Sequence, residues 1–467
     1  MNSDSIKTVY LVAICGTGMT ALAGLLKEKG FEVSGSDQNV YPPMSTFLEE
    51  NGIPVHPGFD ERHLDAQPDL VVIGNSMSRG NPEVEAVLER RLRYVSLPFA
   101  LREFFIRGNY SCVVTGTHGK TTTSSILAWV LENAGRDPGF FIGGIPENFG
   151  RGFKSGGGKY FVSEGDEYDS AFFDKGSKFL HYLPELVILN NIEFDHADIF
   201  KSLSDIETSF GRMINLIPRN GFLISCWDDP VVRKLSAKAF AQVVTFGLIE
   251  DADWRAEKIT VDGRGTRFDV IYKSERFASM MLPLHGQHMV CNALAVIAAG
   301  HALGLSVSEI KSGLETFKSV RRRLEFKGEA NGIQIFDDFA HHPTEIQATM
   351  AALRRRFPGQ RLWTVFEPRT ATSKRNIFER RFVEVLSEAD CVVLTPLYAK
   401  EKVPADERLS LDNVSAGLQE KGVLCQVLAA NEEMVDYLKL NLRRDDIVLF
   451  MSNGDFNQVP LKLLNVI

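Results

Sequence analysis

The stretch "TGTHGKTTT" (115–123) carries the clearest chemical signal in the chain. Gly119, Lys120 and Thr121 match the end of the phosphate-binding pattern G-x-x-x-x-G-K-[ST], but Gly116 stands only three residues before Gly119. An apolar strand precedes this turn and an apolar-striped helix follows it, so backbone N–H groups converge at a helix N-terminus. A lysine there reaches β- and γ-phosphates, and a threonine hydroxyl binds Mg²⁺. The predicted phosphate loop, whose alternative is an ordinary turn with capping threonines, comprises Gly116, Thr117, His118, Gly119, Lys120, Thr121 and Thr122.

A second glycine-containing turn, "CGTGMTA" (15–21), follows the first apolar run and opens a helix. Gly16, Gly18 and Ala21 fit the dinucleotide fingerprint with alanine in its last place, and Asp37 stands where a ribose-binding acid is expected. This pattern fits a tight turn without a ligand equally well. Two nucleotide-like loops in one chain, of which one carries lysine and threonine, indicate ATP together with a second phosphorylated ligand.

Acidic side chains follow two further apolar runs. "VSEGDEYDSAFF" (162–173) and "NNIEFDHAD" (190–198) place carboxylates and one histidine at strand ends, where an α/β sheet gathers its ligands. Such groups hold Mg²⁺ and orient an attacking group. Either segment alone is also typical of a solvated acidic loop, but both behind a phosphate loop favour a metal site. The acids and the histidine are Glu164, Asp166, Glu167, Asp169, Asp174, Glu193, Asp195, His196 and Asp198.

Three further segments combine histidine with polar or cationic side chains. "HGQHMVCNALA" (285–295) reads as the start of a helix with His288 and Asn292 on one face, where a structural role fits as well as a functional one. "FDDFAHHPTE" (336–345) and "FEPRTATSK" (366–374) follow apolar strands. The two histidines before proline also fit a helix cap, because proline is favoured at the first helical position.

The elements that must position these residues alternate along the chain. Short β-rich apolar runs are separated by amphipathic helical stretches, the pattern of parallel sheets with helices on both faces. Region 254–284 differs, because short alternating segments meet at "DGRGT" and predict a small antiparallel insertion. We predict an α/β protein of three domains, 1–107, 108–318 and 319–467. The first and last are expected to be Rossmann-like, and the middle one a P-loop ATPase-like, mostly parallel sheet.

Composition narrows the class of protein. The 467 residues suffice for about three domains, and the net charge of −8 argues against nucleic acid as a partner. The six cysteines form no C-x-x-C pair and no Cys/His cluster, so a zinc site is not expected. "MNSDSIK" lacks an apolar signal region, and no apolar run reaches membrane-spanning length. We therefore expect a reduced cytoplasmic protein with small-molecule substrates and no membrane partner.

Taken in order, these motifs resemble the Mur ligase family of ATP-dependent amide ligases over essentially the whole chain. The shortened phosphate loop is similar to that family's "TGT(N/H)GKT". "GTGM", "GSD", "NPEV", "EGDE", "NIEFDH", "RRLEF" and "DDFAHHPTE" resemble the branch that acts on UDP-N-acetylmuramic acid. One subfamily of that branch adds L-alanine, and another adds the recycled tripeptide L-alanyl-γ-D-glutamyl-meso-diaminopimelate. "SRGNPEVE", "GFFIGGIPENFG", "DEYDSAFFDKGSKFLHY", "EPRTATSK" and "MSNGDF" favour the second subfamily.

The resemblance implies ligation through an acyl phosphate, with ATP and two Mg²⁺ ions, in peptidoglycan recycling. Its implied catalytic residues are Lys120, Glu164 and His196, and its implied metal ligands are Thr121, Glu164 and a neutral His196. ATP would contact the phosphate loop together with His288, Asn292, Arg323 and Asp338. UDP-N-acetylmuramate would bind the first domain through Gly16, Gly18, Asp37, Asn75 and Ser76. The last domain would close on ATP and bind the peptide through His341, Arg369 and Lys374.

Other interpretations stay open at the level of sequence. The nearest is the L-alanine-adding ligase of the same family. A P-loop NTPase or kinase with a regulatory nucleotide-binding domain would need no amine substrate. A non-enzymatic UDP-sugar sensor is disfavoured because Lys120, Glu164 and His196 are all present. The sequence predicts no particular oligomeric state.

Overall fold

The computed structural model describes residues 5–467. Its N-terminal part is a parallel sheet of five strands in the order β3-β2-β1-β4-β5. Its central strands are buried along most of their length, because helices cover both faces of the sheet. The strands are β1 (Thr8–Val12), β2 (Glu32–Asp37), β3 (Val55–Pro57), β4 (Leu70–Ile73) and β5 (Tyr94–Ser96). The helices are α1 (Thr17–Glu28), α2 (Met44–Glu50), α3 (Pro82–Glu89) and α4 (Leu97–Leu101), which continues into a π-helical turn, Arg102–Ile106.

The central part is a ten-stranded sheet in the order β17-β16-β15-β14-β13-β12-β6-β9-β7-β8. A separate hairpin of β10 and β11 stands beside it. The strands are β6 (Tyr110–Thr115), β7 (Gly139–Phe141), β8 (Phe153–Lys154), β9 (Tyr160–Gly165), β10 (Asp169–Ala171), β11 (Asp174–Ser177), β12 (Leu186–Leu189), β13 (Phe222–Cys226), β14 (Gln242–Gly247), β15 (Trp254–Asp262), β16 (Gly265–Tyr272) and β17 (Glu275–Leu282). The helices are α5 (Lys120–Asn133), α6 (Leu203–Asn215), α7 (Pro230–Ser236), α8 (Gln287–Ala302) and α9 (Val307–Glu315).

The predicted antiparallel insertion is present as strands β15, β16 and β17. It is continuous with the central sheet, because Phe246 of β14 pairs in parallel with Trp254 of β15. The fully buried Trp254 stacks on Tyr272 with ring centroids 4.2 Å apart. The insertion therefore extends the sheet and does not form a unit of its own.

The C-terminal part is a six-stranded sheet in the order β18-β19-β23-β20-β21-β22. Only the edge pair β18 and β19 is antiparallel; the other described pairs are parallel. The strands are β18 (Glu325–Ala330), β19 (Ile333–Asp338), β20 (Leu362–Phe366), β21 (Cys391–Leu394), β22 (Leu424–Val427) and β23 (Ile447–Met451). The helices are α10 (Pro343–Arg356), α11 (Glu379–Leu386), α12 (Leu411–Glu420), α13 (Met434–Asn441) and α14 (Val459–Leu464). The predicted α/β class, with mostly parallel sheets, is confirmed.

The apolar cores divide the molecule unequally. One core runs without a break from the N-terminal sheet into the central sheet, and Phe153 of β8 packs on Phe47 of α2 across that junction. The C-terminal sheet has two core layers of its own, one on each face. Hydrogen bonds such as those from Thr344 to Glu193 and from Ala197 to Thr372 cross from it to the central part. None of the core clusters of residues 5–467 spans this junction, so it is the one best suited to opening and closing. None of the helices between residues 5 and 467 combines the length and the apolar character that a membrane crossing requires.

Candidate active site

The phosphate loop begins where β6 ends at Thr115 and finishes where α5 begins at Lys120. Gly116 and Gly119 have φ angles of +133° and +78°, a region that favours glycine. A Cβ atom on Gly119 would lie 2.8 Å from Oδ1 of Asn292, so a larger residue would displace its neighbours. Among the described residues no side chain caps the start of α5. Its first N–H groups are therefore available to an anion.

Two asparagines behind the loop hold its shape. Oδ1 of Asn191 accepts a hydrogen bond from the backbone N–H of His118 at 2.7 Å, and the Asn191 carbonyl accepts one from Thr117 at 3.0 Å. Asn190 donates to the His118 carbonyl and to the hydroxyl of Thr123. Its buried Oδ1 has no hydrogen-bond partner within residues 5–467. The sequence analysis assigned neither asparagine a role; their position directly after β12 was the available signal.

The ammonium group of Lys120 is held inside the loop. Its Nζ donates to the carbonyl oxygens of Gly116 at 2.7 Å and Thr117 at 3.2 Å, and it pairs with Glu167 at 3.0 Å. Burial alone would lower the pKa of Lys120, but Glu167 and two neighbouring carboxylates outweigh burial and raise it. Lys120 is thus a fully charged donor at the point where the loop would hold phosphates.

Glu167, which the sequence analysis grouped with the acids of a metal site, instead joins Lys120 to His196. Its Oε1 lies 2.8 Å from Nε2 of His196, and its side chain is buried. Burial would raise the pKa of Glu167, but the charge of Lys120 and the hydrogen bond from His196 lower it to about 2. Sequence alone missed this role of Glu167 because five acids in one short segment do not reveal which of them faces the lysine.

His196 lies in the loop after β12 in the left-handed region, with φ of +55°. Its ring packs against Tyr168, with ring centroids 4.3 Å apart. Burial alone would lower its pKa, but the hydrogen bond and charge of Glu167 and the charge of Asp195 raise it. The raised pKa favours the protonated ring, so a metal ion would compete with a proton for the expected neutral form of His196.

Thr121 and Glu164 form a second group beside the first. The Thr121 hydroxyl donates to Oε1 of Glu164 at 2.7 Å, and the backbone N–H of Gly143 donates to Oε2 at 2.7 Å. Burial, with Asp166 nearby, raises the pKa of the Glu164 carboxyl. A hydroxyl and a carboxylate are hard oxygen donors of the kind Mg²⁺ prefers, so the residues present fit that ion. Of the three predicted metal ligands, the structure brings Thr121 and Glu164 into contact, and His196 bonds instead to Glu167.

Both groups face one cavity of about 700 Å³, here called the major cavity. Its walls come from all three sheets, as residues from each part of the chain show. They include Thr17, Lys120, Glu164, His196, His341 and Asp455.

A smaller cavity of about 160 Å³, the minor cavity, lies against the phosphate loop at Gly119. It brings together all four residues predicted to contact ATP outside the loop. They are His288, Asn292, Arg323 and Asp338. Burial lowers the pKa of His288 to about 4, so its ring is neutral at pH 7.

Asp338 also holds in place the segment that joins α9 to β18 (316–324), here called the hinge. Its two carboxylate oxygens accept hydrogen bonds from the backbone N–H groups of Leu324 at 2.6 Å and Ala340 at 2.7 Å. Burial raises its pKa to about 6. In the same hinge Arg323 donates to the Thr121 hydroxyl at 3.3 Å, which ties the hinge to the phosphate loop.

His118 of the phosphate loop links the central and C-terminal parts. Its Nε2 lies 2.9 Å from Glu193, and its Nδ1 lies 3.2 Å from Glu345 of α10. The hydroxyl of Thr344 donates to Glu193 at 2.7 Å. We call His118, Glu193, Thr344 and Glu345 the interdomain clasp. Burial would lower the pKa of His118, but Glu345 and Glu193 raise it to about 9.

The clasp adjoins a cluster of possible metal-ligating atoms. Ligand atoms of His118, Glu193 and His342 lie within 4.8 Å of one another. The raised pKa of His118 favours the protonated ring and its ion pairs at neutral pH. Of the acids that the sequence grouped into a metal site, Glu193 belongs to this cluster, whereas the three assigned ligands Thr121, Glu164 and His196 do not.

The first glycine turn is less constrained than the phosphate loop. Gly16 has an ordinary φ of −64°, and a Cβ atom there would meet nothing closer than 3.6 Å. Gly18 packs more tightly, since its Cβ would lie 3.2 Å from Leu97. Oδ2 of Asp37 accepts a hydrogen bond from the N–H of Cys15 at 2.9 Å, so Asp37 supports the turn itself.

The structure leaves the predicted UDP-N-acetylmuramate residues outside the lining of the major cavity. Thr17, which directly follows Gly16, does line it. Asn75 and Ser76 are exposed after β4, and Asn75 donates to Asp169 of β10 at 3.1 Å. The N-terminal sheet therefore meets the major cavity through the start of α1.

The three residues predicted to bind peptide occupy different places. His341 lines the major cavity, 3.7 Å from Asp195 and 3.4 Å from Glu345. The Arg369 guanidinium lies 3.8 Å from the ring centre of Tyr398. Lys374 is buried further along the same loop. Only His341 of the three lines the cavity.

Family models cover the three parts of the chain. The Mur ligase family, catalytic domain matches residues 8–108. The Mur ligase middle domain matches residues 114–300, and the Mur ligase, glutamate ligase domain matches residues 322–454.

Individual relatives agree with these models. The UDP-N-acetylmuramate–L-alanyl-γ-D-glutamyl-meso-2,6-diaminoheptandioate ligase of Haemophilus influenzae is 42% identical over 464 residues, covering 98% of this chain and 99% of that protein. The UDP-N-acetylmuramate–L-alanine ligase of Acetivibrio thermocellus is 35% identical, covering 98% and 96%. The crystal structure of a murein peptide ligase from Psychrobacter arcticus superposes with a TM-score of 0.74 at 36% identity, covering 98% of each chain. This chain belongs to the Mur ligase family.

Proposed function

We propose that this protein is an ATP-dependent ligase that joins UDP-N-acetylmuramate to L-alanyl-γ-D-glutamyl-meso-diaminopimelate in peptidoglycan recycling. One observation carries the proposal: the phosphate loop, two acidic groups and the start of α1 all face the major cavity. Full-length identity of 42% to a ligase of that name, against 35% to an L-alanine ligase, supports the choice of amine.

In the first half-reaction the lactyl carboxylate of UDP-N-acetylmuramate attacks the γ-phosphorus of ATP. An acyl phosphate forms and ADP leaves. Two anions must meet, so the protein acts mainly by positioning them and neutralising charge. Lys120 supplies a fixed positive charge, and the uncapped start of α5 supplies N–H donors. Lys120 donates to its own loop carbonyls, and phosphate binding would redirect it to phosphate oxygens.

Mg²⁺, when bound, would supply positive charge that offsets the negative charge of the reacting groups. We assign Thr121 and Glu164 to one ion and His196 to a second. Glu167 orients His196 and Lys120 toward each other, since it contacts both. Arg323 contacts Thr121 from the hinge, so domain closure adds a further cation beside the same phosphates.

In the second half-reaction the peptide amine attacks the acyl carbon and phosphate leaves. The amine must lose a proton, and the ring of His341 at the cavity wall would accept it in its neutral form. Asp195, 3.7 Å away and with a pKa well below its ordinary value, positions that ring. We assign 1–107 to the UDP-sugar, 108–318 to ATP and metal, and 319–467 to the peptide and to closure. Closure keeps water from the acyl phosphate, which would otherwise hydrolyse.

The test is phosphate release from ATP and Mg²⁺ with UDP-N-acetylmuramate, with either L-alanine or the tripeptide as amine. We expect release with the tripeptide and a product mass equal to UDP-muramyl-tripeptide. Release with free L-alanine would assign the protein to de novo synthesis. Phosphate release at the same rate with and without either amine would contradict the ligase proposal and favour a P-loop NTPase.

A further inference from the structure

A buried lysine in the C-terminal part has no partner of its own. Lys374 is 6% exposed, and its ammonium group makes no hydrogen bond and no ion pair within 4 Å in the part of the chain that the structure describes. Nζ is not among the fully buried unpaired polar atoms, so it still borders open space, but most of the side chain is out of water. A charge that is largely desolvated without a partner is costly. Such a group points to an anion that is supplied by a ligand.

The surroundings of Lys374 are cationic. The positive charges of Lys402, Arg369 and Arg375 act on it, and with burial as the largest cause they lower its pKa, against the opposite effect of Glu401. Arg369 lies 3.6 Å from the buried carboxylate of Glu367, and Arg375 is paired with Glu407, yet the buried Nε of Arg375 lacks a hydrogen-bond partner in the described chain. Four cations, Lys374, Lys402, Arg369 and Arg375, thus face three carboxylates, Glu367, Glu401 and Glu407. The cluster therefore carries more positive charge than its own carboxylates offset.

The fold holds this cluster in place through its backbone. The Thr370 hydroxyl donates to Ser373 at 2.8 Å, which closes a tight turn before Lys374. The carbonyl of Lys374 accepts from the N–H of Leu409 at 2.9 Å. Pairing of Arg375 with Arg408 then joins the two segments that carry the cations. The cluster is thus built by ordered chain segments.

The loop that carries Lys374 also reaches the reacting centre. The hydroxyl of Thr372 accepts from the N–H of Ala197, the residue after His196, at 3.2 Å. Arg369 lies against Gly454, and the next residue, Asp455, lines the major cavity. A peptide whose amine lies beside His341 would extend along this loop toward Lys374.

We propose that Lys374, supported by Lys402, binds the carboxylate of the third residue of the incoming peptide. This inference rests on the proposed function and deepens it. Arg369, nearer the cavity, then faces the α-carboxylate of the D-glutamyl residue. Free L-alanine has no carboxylate that reaches so far from its amine, so Lys374 selects for a peptide over a single amino acid.

The test uses the full-length enzyme and three peptides: the tripeptide, its third-residue carboxamide and its D-glutamyl α-carboxamide. For Lys374→Met we expect kcat/KM for the tripeptide to fall about 10–100-fold, the usual range for a lost charge-assisted bond. KM values for ATP and UDP-N-acetylmuramate should not change. The variant should also lose the preference of the unmodified enzyme for carboxylate over amide at the third residue. A purely structural role would leave that preference intact.

Lys400→Met, at an exposed position two residues before Lys402, is the matched control and should behave as the unmodified enzyme. Lys374→Arg should restore part of the preference, because it restores the charge. Unchanged selectivity in Lys374→Met, or loss of the preference at the D-glutamyl position instead, would overturn the proposal. Failure of the unmodified enzyme to ligate the tripeptide would contradict the proposed function itself.

Discussion

The two glycine turns of this molecule look alike in sequence and differ in structure. In the phosphate loop both glycines have positive φ, and atoms of Asn190, Asn191 and Asn292 fill the space around them. In the first turn Gly16 has an ordinary φ and room for a side chain. On the proposed function, this difference separates the turn that takes part in phosphoryl transfer from the turn that only binds a ligand. A loop that must place a charge within tenths of an ångström is constrained from every side, whereas a turn that only receives a ligand needs an open approach.

The largest expected effect comes from the one lysine of the phosphate loop. Lys120→Ala should lower turnover on the order of 10³-fold, because charge neutralisation dominates phosphoryl transfer. UDP-N-acetylmuramate binding, measured by calorimetry, should persist, since we assign that ligand to the first turn. Lys27→Ala, an exposed site on α1, is the control. If Lys120→Ala lost both turnover and UDP-N-acetylmuramate binding, the separate roles that we assign to the two turns would be wrong.

A matched pair of glycine substitutions tests the contrast directly. Gly119→Ala should destabilise the protein by about 1–3 kcal/mol, since alanine strains at positive φ and meets Asn292. Gly16→Ala should change the unfolding free energy by less than about 0.5 kcal/mol. Its KM for UDP-N-acetylmuramate should still rise if the diphosphate approaches the backbone there. Denaturant titration with kinetics measures both, and equal destabilisation would refute the contrast.

A smaller effect is expected at Asp37. Both of its oxygens accept backbone N–H bonds, from Cys15 and Asn39 at 2.9 Å each. In Asp37→Asn an amide NH₂ would face one of those donors, so the turn should loosen. We expect KM for UDP-N-acetylmuramate to rise about 2–5-fold with the KM for ATP unchanged. A change in the KM for ATP instead would show that the two turns are coupled.

The smallest effect is a pH dependence of the interdomain clasp. The pKa of His118 is raised to about 9 in the folded protein, so its pairing stabilises fully below its unfolded value of 6.5 and is lost as pH rises through 9. The melting temperature should therefore fall by about 1–3 °C more between pH 6.5 and 9.5 than in His118→Asn. Calorimetric scans at both pH values measure this. If the melting temperatures of the unmodified protein and of His118→Asn changed equally with pH, His118 would not be the cause of the change.

Sequence patterns predicted the strands that carry the site because buried parallel strands are continuous apolar runs. They also predicted the glycine turn between β6 and α5, which the structure shows; its phosphate binding stays a prediction. The roles of Asn190, Asn191 and Glu167 were not predictable, because each depends on which neighbour a polar side chain meets across the sheet. The same limit applies to Asp37, whose pattern suggested ribose and whose contacts are with its own turn. The pairing of β15 with β14 depends on which strand edge β15 meets, and periodicity does not encode that choice.

The major cavity has walls from three separate sheets, and this has an evolutionary consequence. On the proposed function, the groups that activate the acid lie on the central sheet and those that meet the amine lie on the C-terminal one. Loop 369–375 shares no backbone with the phosphate loop, so mutations there alter the choice of nucleophile without moving Lys120 or Glu164. A lineage with this architecture can exchange one amine for another in small steps while its activation chemistry is inherited unchanged.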